Sequence, residues 1–450
     1  MASTQISMTQ AAGTSTKKFT VSMWFKPGAI STNRGLWGCG TGTGDGVSMV
    51  RKSANEVALE TWDGSSNPKL ATSRKFRDPA AWYHLVFSID TTDADSAERL
   101  KIWINGVEET SFATDVTITL DSDIPGWSGS GDTMKIGNRV LDGDAFFEGE
   151  MSHVHVIDGT IYGASTFGET DSTSGIWKIK TSPTVTYGTN GGFYKFESGA
   201  LTTDSSGEGN TLTQVGSPTE TKDSPSNNFC TMNPLDNYYF DAAFSNGNNT
   251  VVTTSPSNET YGTSTLGLQA GLWYFEVKCA SDTSNDNQNI GITNQPSQAS
   301  DDYYLGRAAG EYSYGANTGN WFTAASGTAY GDSYGPPDII GVYVDLTASK
   351  LYFAKNGVVQ NSGTGISITA VGSSTQGVYF PAASYQESGA SATFEFNFGN
   401  GYFGTTAVTS AVADEGGIGA FEYDPSAGTF DSASKDFRAI CTKNIKAYGG

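Results

Sequence analysis

Apolar and polar residues alternate along much of this chain with a period of two. Residues 19–25 read Phe-Thr-Val-Ser-Met-Trp-Phe, which sets Phe19, Val21, Met23 and Phe25 on one side. Successive side chains of a strand point to opposite faces, so the pattern predicts a half-buried β-strand. Residues 82–90 (Trp-Tyr-His-Leu-Val-Phe-Ser-Ile-Asp) and 100–104 (Leu-Lys-Ile-Trp-Ile) carry further strands. The latter stops at Asn105-Gly106, a dipeptide that favours a tight hairpin because both residues tolerate positive φ. The same order returns at residues 340–346 and 350–353, which stop near Asn356-Gly357. No window of ten or more residues carries a helical period. The pattern predicts an all-β chain of two antiparallel, jelly-roll-like β-sandwich domains.

Residues 205–234 break the rhythm. They are rich in Ser, Thr, Gly, Asn and Pro, a composition that reads as a connector with no core of its own. The expected organisation is a first sandwich over 1–204, a connector over 205–234, a second sandwich over 235–405 and a closing segment over 406–450. That last segment carries Phe421, Tyr423, Phe430, Phe437 and Ile440. Left free, so many large apolar groups would be an aggregation liability. The segment is therefore expected to pack on its own domain or to anchor on a neighbouring subunit.

Composition narrows the partners. The 450 residues include 55 glycines, 12% aromatics and only 16% charged residues, with a net charge of −21. Disordered acidic chains lack aromatics and carry dense charge, so this one should fold. Phosphate backbones repel a chain of this charge, and no basic patch is visible, so nucleic acid is not an expected partner. Met1–Ser7 has neither a basic n-region nor an apolar h-region. No run approaches the ~18 apolar residues of a membrane span. The expectation is synthesis as a soluble protein in a cytoplasm, with no membrane insertion. Cys39, Cys230, Cys279 and Cys441 lie far apart and form no C-x-x-C motif; they read as buried thiols, with disulfides left open.

Five stretches of the first half resemble the laminin-G/concanavalin-like family: Phe19–Phe25, Trp82–Phe87, Leu100–Gly106, Lys135-Ile-Gly-Asn138 and Phe147–Asp158. They follow the family's order and imply a sandwich used to bind glycans or proteins, sometimes with calcium. In the second half, Gly271–Val277, Asn289–Thr293, Asp338–Asp345, Leu351–Gly357 and Phe394–Gly399 resemble the SPRY family. That resemblance implies a bent sandwich that binds partners through loops and is not an enzyme. Two further segments, Asp223-Ser-Pro-Ser-Asn-Asn-Phe-Cys-Thr-Met-Asn-Pro234 and Phe437-Arg-Ala-Ile-Cys-Thr-Lys-Asn-Ile445, resemble parts of marine tailed-phage virion proteins. The second departs from the usual Gly-Phe-Lys-Ala-Leu form.

Catalytic chemistry is scarce. A glycosidase needs two carboxylates flanking the scissile bond. The nearest approach, Glu148-Gly149-Glu150, has the wrong spacing and lies on a late strand. No Gly-x-Ser-x-Gly elbow or P-loop is present. Three candidates for binding remain. His153 and His155 alternate on one strand; the laminin-G/concanavalin-like resemblance implies that Val154 and Val156 are core residues, so both imidazoles would face outward and could ligate a metal, notably on a trimer axis. Asp142-Gly143-Asp144 is a Gly-flexed pair of oxygen donors that suits calcium. Tyr303, Tyr304, Tyr312, Tyr314 and Trp321, with Phe322, Tyr330 and Tyr334 nearby, sit among Gly, Ala and Ser and could form a binding surface. Solvated carboxylates, exposed polar histidines and aromatics filling the sandwich core are the alternative readings.

Together these features point to a non-enzymatic structural virion protein of a tailed phage, a surface-exposed head decoration or fibre component. Its expected partners are other virion proteins, host-surface or environmental glycans, and further copies of itself in a homo-oligomer. A cellular adhesin or lectin that binds surface carbohydrates is the alternative.

Overall fold

The computed structural model describes residues 4–28, 32–42, 44–140, 145–236, 242–253, 260–284, 287–296, 304–386 and 390–449. The all-β expectation holds: the described residues form sheets whose strands pair antiparallel, apart from the short parallel pairing of Arg438–Ala439 with Leu272–Asp282, with one short α-helix, Thr442–Tyr448. The chain separates into two compact units, one running to about Glu220 and the other continuing from Asn227.

The first unit packs an eight-stranded sheet against a six-stranded one. The six-stranded sheet runs Gly192–Tyr194, Gly149–Asp158, Lys18–Pro27, Tyr83–Asp90, Leu100–Ile104, Val107–Glu108. Alternation decides what it buries. Phe19, Val21, Met23, Phe25, Leu85, Phe87, Ile102 and Val154 fill the core between the sheets. The opposite face is covered too: Val86, Ile157 and Phe193 lie under Ala164, Phe167 and Tyr187. This sheet is thus buried on both sides.

The second unit repeats the scheme. A nine-stranded sheet holds Leu272–Asp282 between Ile339–Asp345 and Ala392–Asn397. A six-stranded sheet runs Thr260–Thr263, Phe380–Tyr385, Gln288–Thr293, Glu311–Gly315, Asn320–Thr323, Ser326–Ala329. Tyr314 of one sheet stacks on Phe353 of the other, centroids 5.2 Å apart, which marks the interior. On the outer face Tyr274, Tyr343 and Tyr352 stand in register across three strands. Phe421, Phe430 and Phe437 of the closing segment cover them, with ring centroids 4.7–5.2 Å away.

Both Asn-Gly turns do the same work. Asn105 and Gly106 have φ of 47° and 85°, Asn356 and Gly357 49° and 80°, as a tight hairpin turn requires. In each turn the Asn amide oxygen also accepts a backbone N–H from the preceding strand, His84 at 2.8 Å and Ile339 at 2.9 Å. An Asn here sets both the turn and the register.

Residues 205–234 are not a free connector. Thr213–Val215 pairs with Gln5–Thr9 as the last strand of the eight-stranded sheet, and Leu212 enters that core. Phe229 is buried against the tyrosine face. Composition misleads here because one or two apolar residues suffice when the sheet and core already exist. The stretch 223–234 meets residues 437–445 directly. Cys230 N–H donates to Ile440 O (2.9 Å), Thr442 N–H to Asn228 O (2.8 Å), and Asn228 N–H to Thr442 Oγ1 (3.0 Å).

The closing segment therefore completes the second unit. Phe437 is fully buried, and truncating such a ring leaves a cavity that costs about 3–5 kcal/mol. Phe437→Ala should lower the stability of the second unit by that order in urea unfolding. An unchanged midpoint would show that the segment is not part of the core.

Candidate functional site

The two histidines expected as an exposed metal pair are not exposed. The strand Gly149–Asp158 carries a bulge: Ser152 pairs with Trp24 and His155 with Ser22, so one extra residue is inserted. His153 takes it up with φ 49°. Val154 and Val156 do enter the core. His155 lies on the other face but is sealed beneath the covering segment. Its ring stacks on Phe193 at 3.9 Å, and its Nδ1 meets the Tyr187 hydroxyl at 2.9 Å. Burial pushes its pKa well below that of an ordinary imidazole, and that of His153 down as well. The alternation predicted the face correctly; the second layer over that face has no period-two signal. Asp142 and Asp144, the calcium pair, lie outside the described residues. Among the described residues no three His, Cys, Asp or Glu side chains gather as a metal site. All four cysteines are buried thiols, none in a disulfide.

Ser–His contacts were not anticipated, and two occur among the described residues. Ser22 Oγ lies 2.9 Å from His84 Nε2, and Trp177 Nε1–H donates to His84 Nδ1 at 2.9 Å. An indole N–H can only donate, so the His84 proton sits on Nε2 and points at Ser22. That tautomer cannot take a proton from the hydroxyl, the reverse of a nucleophile–base pair. Burial also lowers the His84 pKa to about 3. In the second contact Ser152 Oγ meets the Nδ1 of its neighbour His153 at 2.7 Å within the bulge. Of the two carboxylates weighed for glycoside cleavage, Glu148 is ion-paired to Arg34 at 3.1 Å.

The aromatic cluster divides between core and surface. Tyr312 and Tyr314 are buried. The Tyr312 hydroxyl accepts from Thr369 N–H at 2.9 Å, and Tyr314 donates to the Asp332 carbonyl. Tyr330 and Tyr334 pack on Tyr314 inside the sandwich. Tyr303 lies outside the described residues. Tyr304, Trp321 and Phe322 remain half-buried. Trp321 and Phe322 sit on the hairpin Asn320–Thr323/Ser326–Ala329 at the open edge of the sheet, and the strand Ser326–Ala329 is exposed throughout. Successive residues point to opposite faces. Trp321 shares the Tyr314 side, while Phe322 lies on the outer face opposite Ser313.

Phe322 rests on glycines. A Cβ at Gly315 or Gly327 would stand 2.6 Å from its ring, and one at Gly306 2.7 Å from its Cβ. Tyr304 meets the ring edge-on, centroids 6.4 Å apart at 88°. The loop holding Tyr304 and Gly306 is clamped down. The buried Glu311 carboxylate accepts the N–H groups of Gly306 and Ala308 at 3.0 and 3.1 Å. Leu305 N–H donates to Ser384 Oγ at 2.8 Å, and Ser313 Oγ to Leu305 O at 2.6 Å. The result is a flat, partly solvent-facing ring on a fixed backbone bed. The three glycines are spread over twenty-one positions, and their common role appears only in the fold.

Comparison with known proteins agrees with these two units. Residues 2–164 match the concanavalin A-like lectin/glucanases superfamily, and residues 272–401 match the SPRY domain. The chain therefore carries a concanavalin A-like domain followed by a SPRY domain, both of them types that typically serve as binding modules. Among curated proteins, the Ran-binding proteins 9/10 homolog of Drosophila melanogaster is 32% identical over 93 residues, 20% of this chain; the chain spans 9% of that protein's length. Among solved structures, the SPRY domain of human HERC1 is 16% identical with a TM-score of 0.31, covering 37% of this chain and 96% of that one. The SAP-like pentraxin of Limulus polyphemus is 19% identical with a TM-score of 0.26, covering 35% and 71%.

The buried imidazoles set an acid limit for the first unit. His84 and His155 stay neutral in the fold, whereas in the unfolded chain they take up protons near pH 6.5. More protons on the unfolded state means stability falls as pH falls. The loss should begin below about pH 6.5, at up to ~1.4 kcal/mol per pH unit per imidazole, and for His84 continue towards about pH 3. Urea midpoints of the first unit measured between pH 7 and pH 5 read this window. A flat profile there would contradict the neutral assignment.

Proposed function

We propose that this chain is a non-enzymatic structural protein on the surface of a tailed-phage particle, a head decoration or fibre component whose sandwich domains bind glycans or proteins. The observation that carries the reading is the pairing of the segments 223–234 and 437–445. They are more than 200 positions apart and each resembles a part of marine tailed-phage virion proteins. Their backbones hydrogen-bond to one another in the fold, as parts of one inherited module would. The absence of an oriented base in the Ser22–His84 pair supports a binding role. Immunogold labelling of purified particles with antibody to this chain tests the location. Label on the outside of heads or fibres is expected; particles free of the chain would refute it.

For the binding role, the bedded Phe322 ring with Tyr304 beside it suits the apolar face of a pyranose, and polar groups of the exposed hairpin edge would read its hydroxyls. Partners of this kind are host-surface or environmental glycans. Affinity electrophoresis against laminarin and agarose should show retardation that Phe322→Ala weakens about tenfold or more, the size of a central aromatic contact. No reducing ends should appear. Sugar release that Glu148→Gln or Glu150→Gln abolishes would overturn the non-enzymatic reading.

A further inference from the structure

The closing segment is held at a buried carboxylate with no ion-pair partner among the described residues. Glu276 stands on the strand Leu272–Asp282, on the same outer face as Tyr274, and is fully buried. Its Oε1 accepts Tyr423 N–H at 2.8 Å, and its Oε2 accepts Glu422 N–H at 3.0 Å. Asn397 of the neighbouring strand donates to Oε2 at 3.0 Å, and the Tyr274 hydroxyl to Oε1 at 3.1 Å. Two of its four partners are therefore main-chain groups of the closing segment. That segment is internally braced by Asp414, whose carboxylate accepts from Ile418, Gly419, Ala439 and Asn444.

We propose that residues 412–441 form a proton-linked strap on the tyrosine face, clasped at Glu276, whose docking tightens when this carboxyl takes up a proton. The argument begins with charge. Tyr274 and Tyr343 face Glu276 from the sheet, Asn397 from the next strand, and Glu422, Tyr423 and Asp424 belong to the strap. None of these is a cation, and among the described residues Glu276 makes no ion pair. Burying an uncompensated carboxylate disfavours its charged form.

The four hydrogen bonds favour the carboxylate and offset part of this burial effect. The clasp itself survives protonation. The Glu276 O–H can donate to the Tyr274 oxygen, and Tyr274 in turn to Tyr343, whose ring lies 4.6 Å away. A carboxylic oxygen still accepts the strap N–H groups. Burial raises the Glu276 pKa from 4.5 to about 7.

The sign follows from linkage. The docked state binds the proton more tightly than the released one, so docking is firmest below about pH 4.5 and loosens as pH rises, levelling off above about pH 7. Strap opening should increase about tenfold per pH unit across this window, ~300-fold in all. The other ionised groups of the docked strap act elsewhere. Hydrogen bonds lower the Asp431 pKa, so its effect lies below the window, and Lys435 is paired with Asp345 at 2.5 Å. Glu395, on the Asn397 strand, is also raised by burial and would act in the same direction.

Hydrogen exchange of the Glu422, Tyr423 and Ala439 amides in the full chain, corrected for intrinsic rates, reads the opening between pH 4 and 8.5. The wild type should show the stated rise and plateau, and Glu276→Gln, neutral throughout, should flatten it. A wild-type profile without the rise, or a Gln variant that keeps it, would overturn the proposal. Should the variant not fold, the 13C carboxyl resonance of Glu276 in the wild type decides. A midpoint near pH 7 supports the strap, and an ordinary glutamate midpoint refutes it.

Discussion

One sheet in each unit is apolar on both faces, and the rest of the structure follows from covering each of them twice. A sandwich buries only the inner face of each sheet. In the first unit Val86 and Ile157, and in the second Tyr274, Tyr343 and Tyr352, point the other way. Each such face would expose a large apolar patch. The chain covers them with segments that carry little regular structure, residues 162–187 in one case and 412–441 in the other. A few apolar side chains in each, chiefly Phe, Tyr and Ala, suffice because the sheet already supplies an ordered surface to pack on.

Double burial has an electrostatic consequence. Polar groups on those outer faces lose water and must be satisfied internally. His84 and His155 respond by staying neutral, each with a ring nitrogen committed to an aromatic partner, Trp177 or Tyr187. Glu276 responds through four donors, two of them lent by the covering segment. The same physical situation therefore stabilises the neutral form of an imidazole in one unit and of a carboxyl in the other. Their pH dependences have opposite signs: acid removes stability from the first unit and tightens the strap of the second.

The half-buried aromatics Tyr304, Trp321 and Phe322 gather where a sheet ends, beside the exposed strand Ser326–Ala329. Phe322 is held flat by glycines on three separate stretches, and the loop above it is tied down through Glu311. In the glycan-binding role proposed above, such rigidity would limit the ordering cost.

Period-two alternation and the two Asn-Gly turns carried the all-β class, the central strands and both hairpins in the sequence itself, because these depend on neighbours one to four positions apart. The aromatic cluster from Tyr303 to Tyr334 was visible as rings set among Gly, Ala and Ser. Its division into core and surface was not: Trp321 and Phe322 are adjacent, and only pairing with Ser313 and Tyr314 decides which face each takes. The burial of His155, the capture of Thr213–Val215 as a strand and the clasp at Glu276 are likewise tertiary. Each depends on a segment that returns from tens to hundreds of positions away, guided by one or two apolar side chains too sparse to form a periodic signal. Local pattern determines how a strand alternates; whether its outward face meets water is decided by whatever the rest of the chain lays over it.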